Sequence, residues 1–184
     1  MKLTGLDFLD ISNDLSDNEI MIQQSTRDFV DSEIIPVIGE HFANATFPED
    51  LIPKIAEMGF LGINLPEGSG GGMNNIIYGL VCQEIERGDS GIRSFISVQT
   101  SLVMYPIFTF GSDIQKKKWL PKLCSGDSIG CFGLTEPDHG SDPGSMKSMI
   151  KKVDGGFILN GSKMWITNGN LADIAVVWAK EDNG

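Results

Sequence analysis

The stretch SIGCFGLTEPDHGSD, residues 128–142, marks the point at which the pattern of this sequence changes. From here onward the segments SIGCFGLT, GFILNGSKMWIT and DIAVVWAK have the composition of strands, and turn signals such as Asp154-Gly155-Gly156 separate them. Before residue 127 the pattern is helical. Segregated helices and strands favour an α+β fold, with an all-helical domain at 1–127 and an antiparallel β domain starting at 128–184, and argue against an alternating βαβ fold.

Capping signals and helix breakers predict the helix boundaries in the first part. Ser16-x-x-Glu19 has the form of a capping box, and the helix that it opens should stop before Pro36. Further helices are expected after Phe47-Pro48 and up to Gly59, in 74–88, in 91–105, and from Ser112-x-x-Gln115 to about Cys124.

Composition narrows the class of protein. The chain has 184 residues, of which 41% are apolar, and a formal net charge of −11, which does not favour a nucleic-acid binder. No apolar run approaches the roughly 18–20 residues of a membrane span, and the acidic N-terminus is not typical of a signal or transit peptide, so a cytoplasmic protein is expected. The three cysteines are interpreted as reduced core thiols, and no metal site is expected.

The most specific segments lie at predicted strand ends. Leu134-Thr135-Glu136-Pro137 is followed by a turn containing Gly140-Ser141-Asp142, and further along the chain comes Met164-Trp165-Ile166-Thr167-Asn168. Backbone N–H groups, hydroxyls and a flat indole are groups that could hold a polar planar ligand. Taken alone, a polar loop and a core Trp are the simpler interpretations of these segments.

Together and in this order, these segments resemble the acyl-CoA dehydrogenase family, whose pattern is a Leu-Thr-Glu-Pro strand end, a Gly-Ser-Asp turn and a Trp-Ile-Thr-Asn strand end. The resemblance also includes Phe47-Pro48, Glu57-Met58-Gly59 and Trp119-Leu120-Pro121, and extends over nearly the whole chain. It implies that the second part begins a β-barrel-like domain and that the cofactor is FAD. Because a few strands cannot cover a sheet, we expect a truncated chain whose C-terminal helical domain is absent.

The resemblance also implies how FAD would be bound. Thr135 would donate toward the pyrimidine edge of the flavin, Thr167 would hydrogen-bond near N5, and Trp165 would pack near the ring. Ser141 would lie by the pyrophosphate and the acyl-CoA chain. The full set of cofactor-binding residues implied in this way is Phe132, Leu134, Thr135, Ser141, Trp165, Ile166 and Thr167. Donors near N1, O2 and N5 favour the reduced, electron-rich flavin.

A second segment, from Glu84 to Gln99, resembles the members of the family that act on glutaryl-CoA. The resemblance implies that Arg93, Ser94 and Ser97 bind the distal carboxylate of the substrate, with Ser141 also near the acyl chain, and guanidinium geometry suits a two-pronged contact with a carboxylate. By spacing alone, a helix salt bridge from Arg93 to Asp89 is the simpler interpretation.

The implied reaction is α,β-dehydrogenation of glutaryl-CoA with hydride transfer to flavin N5, and decarboxylation to crotonyl-CoA is left open. The family's catalytic base is a Glu on the C-terminal helical domain, so no catalytic residue is assigned within this chain. Glu136 is interpreted as a structural turn residue. The resemblance further implies a homotetramer and an electron-transferring flavoprotein as the acceptor. A dehydrogenase or oxidase for another acyl-CoA, and a non-catalytic acyl-CoA-binding subunit, are the alternatives.

Overall fold

The computed structural model describes residues 11–182. After a short 3-10 turn at Ile11–Asp14, the first part consists of seven α-helices among the described residues: α1 Asp17–Phe29, α2 Ile35–Ala43, α3 Leu51–Glu57, α4 Asn75–Gly88, α5 Ser90–Ser97, α6 Tyr105–Phe110 and α7 Asp113–Cys124. The strands follow: β1 Gly130–Gly133, β2 Met149–Val153, β3 Gly156–Asn160, β4 Ile174–Val177 and β5 Lys180–Glu181. The predicted order, helices and then strands, is confirmed.

The caps that the sequence predicts are present. Ser16 and Ser112 each form the full capping box. Asn74, which was not predicted as a cap, accepts a hydrogen bond from the Ile77 N–H at the start of α4. These contacts satisfy N–H groups that have no partner within the helix. Gly59 ends the α3 region with a positive φ of 72°, as the sequence indicates.

The prediction that the first helix stops before Pro36 is wrong. The chain continues from α1 into α2 through a π-helical turn at Val30–Ile34, where the Ile35 N–H donates to the Val30 carbonyl. A second π-helical segment, Val98–Met104, joins α5 to α6 in the same way, and Pro106 follows it. A proline lacks the N–H that an α-helix needs, and the wider π turn before each proline lets the helix continue.

Two apolar cores hold the fold together. The larger one lies between the helices, where Val30, Ile55, Val81 and Ile85 are fully buried. The smaller one is built around Val103, Met104 and Leu123, and Phe132 and Val176 pack against it, so that β1 and β4 lie on the helical part.

Among the described strands, the expected antiparallel pairing is found in one pair, and two other pairs are parallel. β2 and β3 form an antiparallel hairpin turned by Asp154-Gly155, but β1 pairs in parallel with β4, and β2 pairs in parallel with β5. A parallel pair requires a long connection, and the chain between β1 and β4 contains the whole β2–β3 hairpin. The described strands form a two-stranded and a three-stranded sheet rather than a closed barrel.

A buried glutamine joins the two parts. Gln99, in the second π-helical segment, is fully buried, and its side-chain amide donates to the carbonyls of Leu123 (3.0 Å) and Ser128 (2.9 Å). Its oxygen accepts from the Gly130 N–H at 2.8 Å. The first residue of β1 is therefore fixed to the helical core by polar contacts in an apolar setting.

Within residues 11–182, no helix is long and apolar enough to cross a membrane. The same residues contain no cluster of three or more metal-ligating side chains. Cys82 and Cys124 are half-buried and Cys131 is buried, and all three are free thiols whose pKa is raised by burial.

Candidate functional site

A groove of about 240 Å³ runs along the boundary between the two parts; we call it the Trp165 groove. One side consists of Val98 and Leu102, which lie one turn apart in the second π-helical segment. The other sides consist of residues that the sequence singled out, namely Phe132, Leu134, Thr135, Trp165, Ile166 and Thr167. The structure therefore brings six of the seven implied cofactor-binding residues to one place.

Thr135 reaches the groove because β1 ends at Gly133 and the chain continues past Leu134 in an extended path. The Met164 N–H donates to the Thr135 carbonyl at 2.9 Å. At the last residue of β1, the Gly133 carbonyl accepts from the Trp178 N–H just after β4 at 3.0 Å. The Met164 contact therefore places the end of β1 beside the segment that carries Trp165, and the Trp178 contact places it beside β4.

Trp165 does not lie at a strand end, contrary to the expectation. Residues 161–172, which we call the Trp165 loop, have no helix or strand, and Trp165 has a left-handed backbone with φ of 60°. The residue is 84% exposed. The loop is anchored at Asn168, which is buried and donates to the Gly130 carbonyl at 3.2 Å.

Glu136 lies directly behind the groove and is 5% exposed. Its carboxylate accepts hydrogen bonds from the Lys147 N–H (2.6 Å), the Ser148 N–H (2.9 Å) and the Lys163 ammonium (2.8 Å). These donors, the Lys147 N–H foremost, hold the pKa of Glu136 well below its usual range. A carboxylate that is ionised at neutral pH and engaged by three donors agrees with a structural role and not with that of a base.

Ser141 lies outside the Trp165 groove. It is exposed, in the turn that precedes the short 3-10 helix Pro143–Ser145. The Asp142 carboxylate in the same turn accepts a hydrogen bond from the Ser145 hydroxyl. The structure therefore does not bring Ser141 together with the other implied cofactor-binding residues.

A second cavity of about 300 Å³ adjoins the first; we call it the Ser94 cavity. Thr167 lines both cavities, so they share a wall. Besides Ser94 and Thr167, its lining consists of Phe47, Gly91, Asn168, Asn170 and Leu171. Ser94 thus faces the Trp165 loop.

Arg93 lies on the half-exposed side of α5 and is held by two neighbours. Its Nε donates to Glu86 at 2.5 Å and its Nη1 donates to the Ser97 hydroxyl at 3.3 Å. The hydrogen bond to Glu86 raises the pKa of Arg93, and the same contact lowers the pKa of Glu86. The structure brings Arg93 and Ser97 together, while Ser94 points into the Ser94 cavity.

The alternative of a salt bridge between Arg93 and Asp89 is wrong. The Asp89 carboxylate instead caps α5 by accepting from the Ile92 N–H at 2.8 Å. An aspartate at an N-cap satisfies a helix N–H group that has no other partner, so this role outcompetes an ion pair one turn away.

Sequence reasoning missed three residues at this site. Val98 and Leu102 are spaced four apart, and this spacing on a helix could have indicated a common face. Lys163 was also missed, although it lies two residues before Trp165; its ammonium donates to the Leu134 carbonyl at 3.0 Å as well as to Glu136. A lone lysine in a polar loop carries no signal of such burial.

Two family models match the chain. One, described as the N-terminal domain of acyl-CoA dehydrogenase, matches residues 16–127, and the other, described as the middle domain, matches residues 131–184. The short-chain specific acyl-CoA dehydrogenase of Rattus norvegicus mitochondria is 37% identical over 93% of this chain and 42% of its own length.

Solved structures give the same result. A glutaryl-CoA dehydrogenase from Mycobacterium smegmatis, in complex with FADH2, is 48% identical with a TM-score of 0.93, over 97% of this chain and 46% of that one. A chain in a structure described as the electron transferring flavoprotein of Acidaminococcus fermentans is 36% identical with a TM-score of 0.86, over 91% of this chain and 44% of that one. This chain spans under half the length of these relatives.

Proposed function

This chain belongs to the acyl-CoA dehydrogenase family, and we propose that it forms the helical domain (1–127) and part of the flavin-binding domain (128–184) of an FAD-dependent enzyme that oxidises glutaryl-CoA. The observation that carries the proposal is the convergence of six residues of the family's flavin pattern on the Trp165 groove, with Arg93 and Ser97 paired on the adjoining helix. The 48% identity to a glutaryl-CoA dehydrogenase supports the choice of substrate.

The residues of the Trp165 groove fit a flavin. The indole of Trp165 and the side chains of Phe132, Leu134 and Ile166 supply flat apolar surface, and Thr135 and Thr167 supply hydroxyl donors. Trp165 is 84% exposed, so its indole is accessible to a planar ligand. FAD, when bound, supplies the acceptor of the hydride that leaves the substrate's β-carbon. Thr135 and Thr167 would orient it and stabilise its electron-rich form.

Arg93 would recognise the distal carboxylate of the substrate. A guanidinium has five N–H donors, and the contacts to Glu86 and Ser97 engage two of them. Glu86 holds the arginine in place in the absence of a substrate, and Ser97 would share the carboxylate with it. Ser94, on the wall of the adjoining cavity, and Ser141, in its exposed turn, would contact other parts of the acyl-CoA.

The α-proton must be removed by a base that we do not assign within this chain. Glu136 is unsuitable because three donors occupy its carboxylate. The complete enzyme would be a homotetramer that passes its electrons to an electron-transferring flavoprotein. Purified residues 1–184 are accordingly expected to bind FAD weakly and to show no turnover of glutaryl-CoA, which stopped-flow measurement of flavin reduction would check.

The substrate assignment is tested by replacing Arg93 with Met in the full-length enzyme. Loss of one partner of a buried charge pair costs about 2–5 kcal/mol, so kcat/KM for glutaryl-CoA should fall roughly 30- to several-thousand-fold. The value for butyryl-CoA, which has no distal carboxylate, should change little or rise. Arg93→Lys should rescue glutaryl-CoA turnover only in part, because an ammonium cannot make the two-pronged contact. An equal loss for both substrates would show that Arg93 has a structural role.

A second candidate function is oxidation of an unbranched short acyl-CoA, which the similarity to a short-chain dehydrogenase supports. In that case the wild-type enzyme would prefer butyryl-CoA, and Arg93→Met would not alter the preference. An oxidase would be recognised by rapid reaction of its reduced flavin with oxygen, and a non-catalytic subunit by acyl-CoA binding without any flavin reduction.

A further inference from the structure

We propose that Glu136 and Lys163 are positioning residues that hold the two hydroxyl-bearing walls of the Trp165 groove at the spacing a flavin requires. The inference rests on the proposed function, since it concerns how the flavin site is kept in shape. The first wall is the end of β1, residues 134–136, which carries Thr135. The second wall is the Trp165 loop, which carries Trp165 and Thr167.

Lys163 binds the first wall at two points. Its ammonium donates to the Leu134 carbonyl at 3.0 Å and to the Glu136 carboxylate at 2.8 Å, one residue on either side of Thr135. The neighbouring Met164 N–H donates to the carbonyl of Thr135 itself at 2.9 Å. Three consecutive residues of the first wall are thus bound by two consecutive residues of the second.

Glu136 extends the same connection to a third segment. Its carboxylate also accepts from the Lys147 and Ser148 N–H groups just before β2. The side chains of Glu136 and Lys163 are 4% and 12% exposed, so water cannot replace these contacts. A buried pair with this many hydrogen bonds fixes geometry, because any displacement leaves a charge without a partner.

Apolar packing holds the Trp165 loop at its far end, where Leu171 packs against the larger core, but not at Trp165 and Thr167. Trp165 is 84% exposed and Thr167 is also exposed, and the loop has no regular secondary structure. Its backbone is held on one side by Lys163 and Met164 and on the other by Asn168, which donates to Gly130. Between these anchors lies Trp165 with its left-handed φ of 60°, so the direction of the indole depends on the lysine anchor.

The test compares Lys163→Met with the wild type in the full-length holoenzyme. Methionine preserves the length of the side chain and removes the ammonium. We expect FAD to bind about 10- to 100-fold more weakly, by analogy with the loss of supporting contacts around other bound groups, and the visible absorption and circular dichroism bands of the flavin to shift. Lys163→Arg, which keeps the charge, should restore both in part. Lys152→Met, the same replacement at an exposed lysine of β2, should change neither.

Each outcome decides one point. A Lys163→Met enzyme that is less stable to heat but keeps wild-type FAD affinity and flavin spectrum would overturn the positioning role, leaving only a structural one. If Lys163→Met fails to fold, Glu136→Gln and Lys163→Arg carry the test with the same two readouts. A wild-type protein that binds no FAD would instead refute the proposed function, and this is measured before any variant.

Discussion

The helical core and the β2–β3 hairpin of this molecule differ in how they place their apolar residues. In the helical part, residues such as Ile85 and Phe95 are fully buried. In the β2–β3 hairpin, the consecutive residues Phe157, Ile158 and Leu159 are 66%, 49% and 48% exposed, so that both faces of the hairpin meet water. Burial of apolar surface is the main stabilising contribution to folding, and most of it therefore lies in the helices.

The contrast explains how the Trp165 groove is built. Its helical side, Val98 and Leu102, belongs to a segment fixed by close packing. On its strand side, Phe132 packs on the smaller core, and polar contacts of Gln99, Asn168 and the Glu136–Lys163 pair hold the remainder. A groove with one packed side and one side held largely by hydrogen bonds should respond differently to core mutations and to the loss of single polar groups.

The largest expected effect is in the helical core. Phe95→Ala removes a fully buried ring that packs on Phe47, with ring centroids 5.3 Å apart, and should lower the free energy of unfolding by about 3–5 kcal/mol. Phe157→Ala, the same replacement in the exposed hairpin, should stay within about 0.5 kcal/mol of the wild type. Urea unfolding followed by far-ultraviolet circular dichroism measures both, and equal losses would refute the contrast between the two parts.

A smaller effect is expected where the two parts meet. Gln99→Leu deprives the Gly130 N–H and the carbonyls of Leu123 and Ser128 of their partner, and should cost about 2–4 kcal/mol. Gln24→Leu is the matched control, because Gln24 bonds only to exposed Asp28 one turn away, a contact typically contributing about 0.2–0.5 kcal/mol. If Gln99→Leu were as mild as the control, the junction would not depend on this side chain.

The helix boundaries could be predicted because capping and turn residues act within one turn of their own position in the sequence. The capping boxes at Ser16 and Ser112 and the positive φ of Gly59 follow from residue types alone. The continuation through Pro36 did not follow, because the π-helical turn that permits it is stabilised by burial of Val30 and Ile34 in the core. Local helix rules contain no information on such packing.

The site shows a similar division. The family pattern predicted which residues line the Trp165 groove, but the pattern contains no distances, so the placement of Ser141 outside the groove was not foreseen. The parallel pairing of β1 with β4 was missed because pairing between distant segments depends on the complete chain path. Lys163 was missed because its burial results from partners 27 and 29 residues away.

The pH dependence of stability should also depend on the polar contacts of the strand part. Glu136 has a pKa well below its usual value in the folded state, so its charge stabilises the fold above about pH 4.3, and this contribution is lost as the pH falls toward the folded-state pKa. Glu136→Gln should therefore lower the urea midpoint at neutral pH, and its difference from the wild type should narrow between about pH 4.3 and pH 3. Glu49→Gln, at an exposed carboxylate of the helical part, is the control for the loss of one negative charge.

The smallest effect on stability, though not on solubility, is expected from the exposed hairpin. Purified residues 1–184 should self-associate through the apolar strands β2 and β3, since exposed apolar strands are templates for pairing with another chain. Ile158→Lys places a charge on that surface; it should reduce association in sedimentation velocity and leave the free energy of unfolding within about 0.5 kcal/mol of the wild type. Ile114→Lys is the matched control, because Ile114 is 80% exposed but lies on helix α7. If both replacements reduced association equally, net charge and not the hairpin would control it. If only Ile158→Lys reduced association, the β2–β3 hairpin would be the surface through which this chain self-associates.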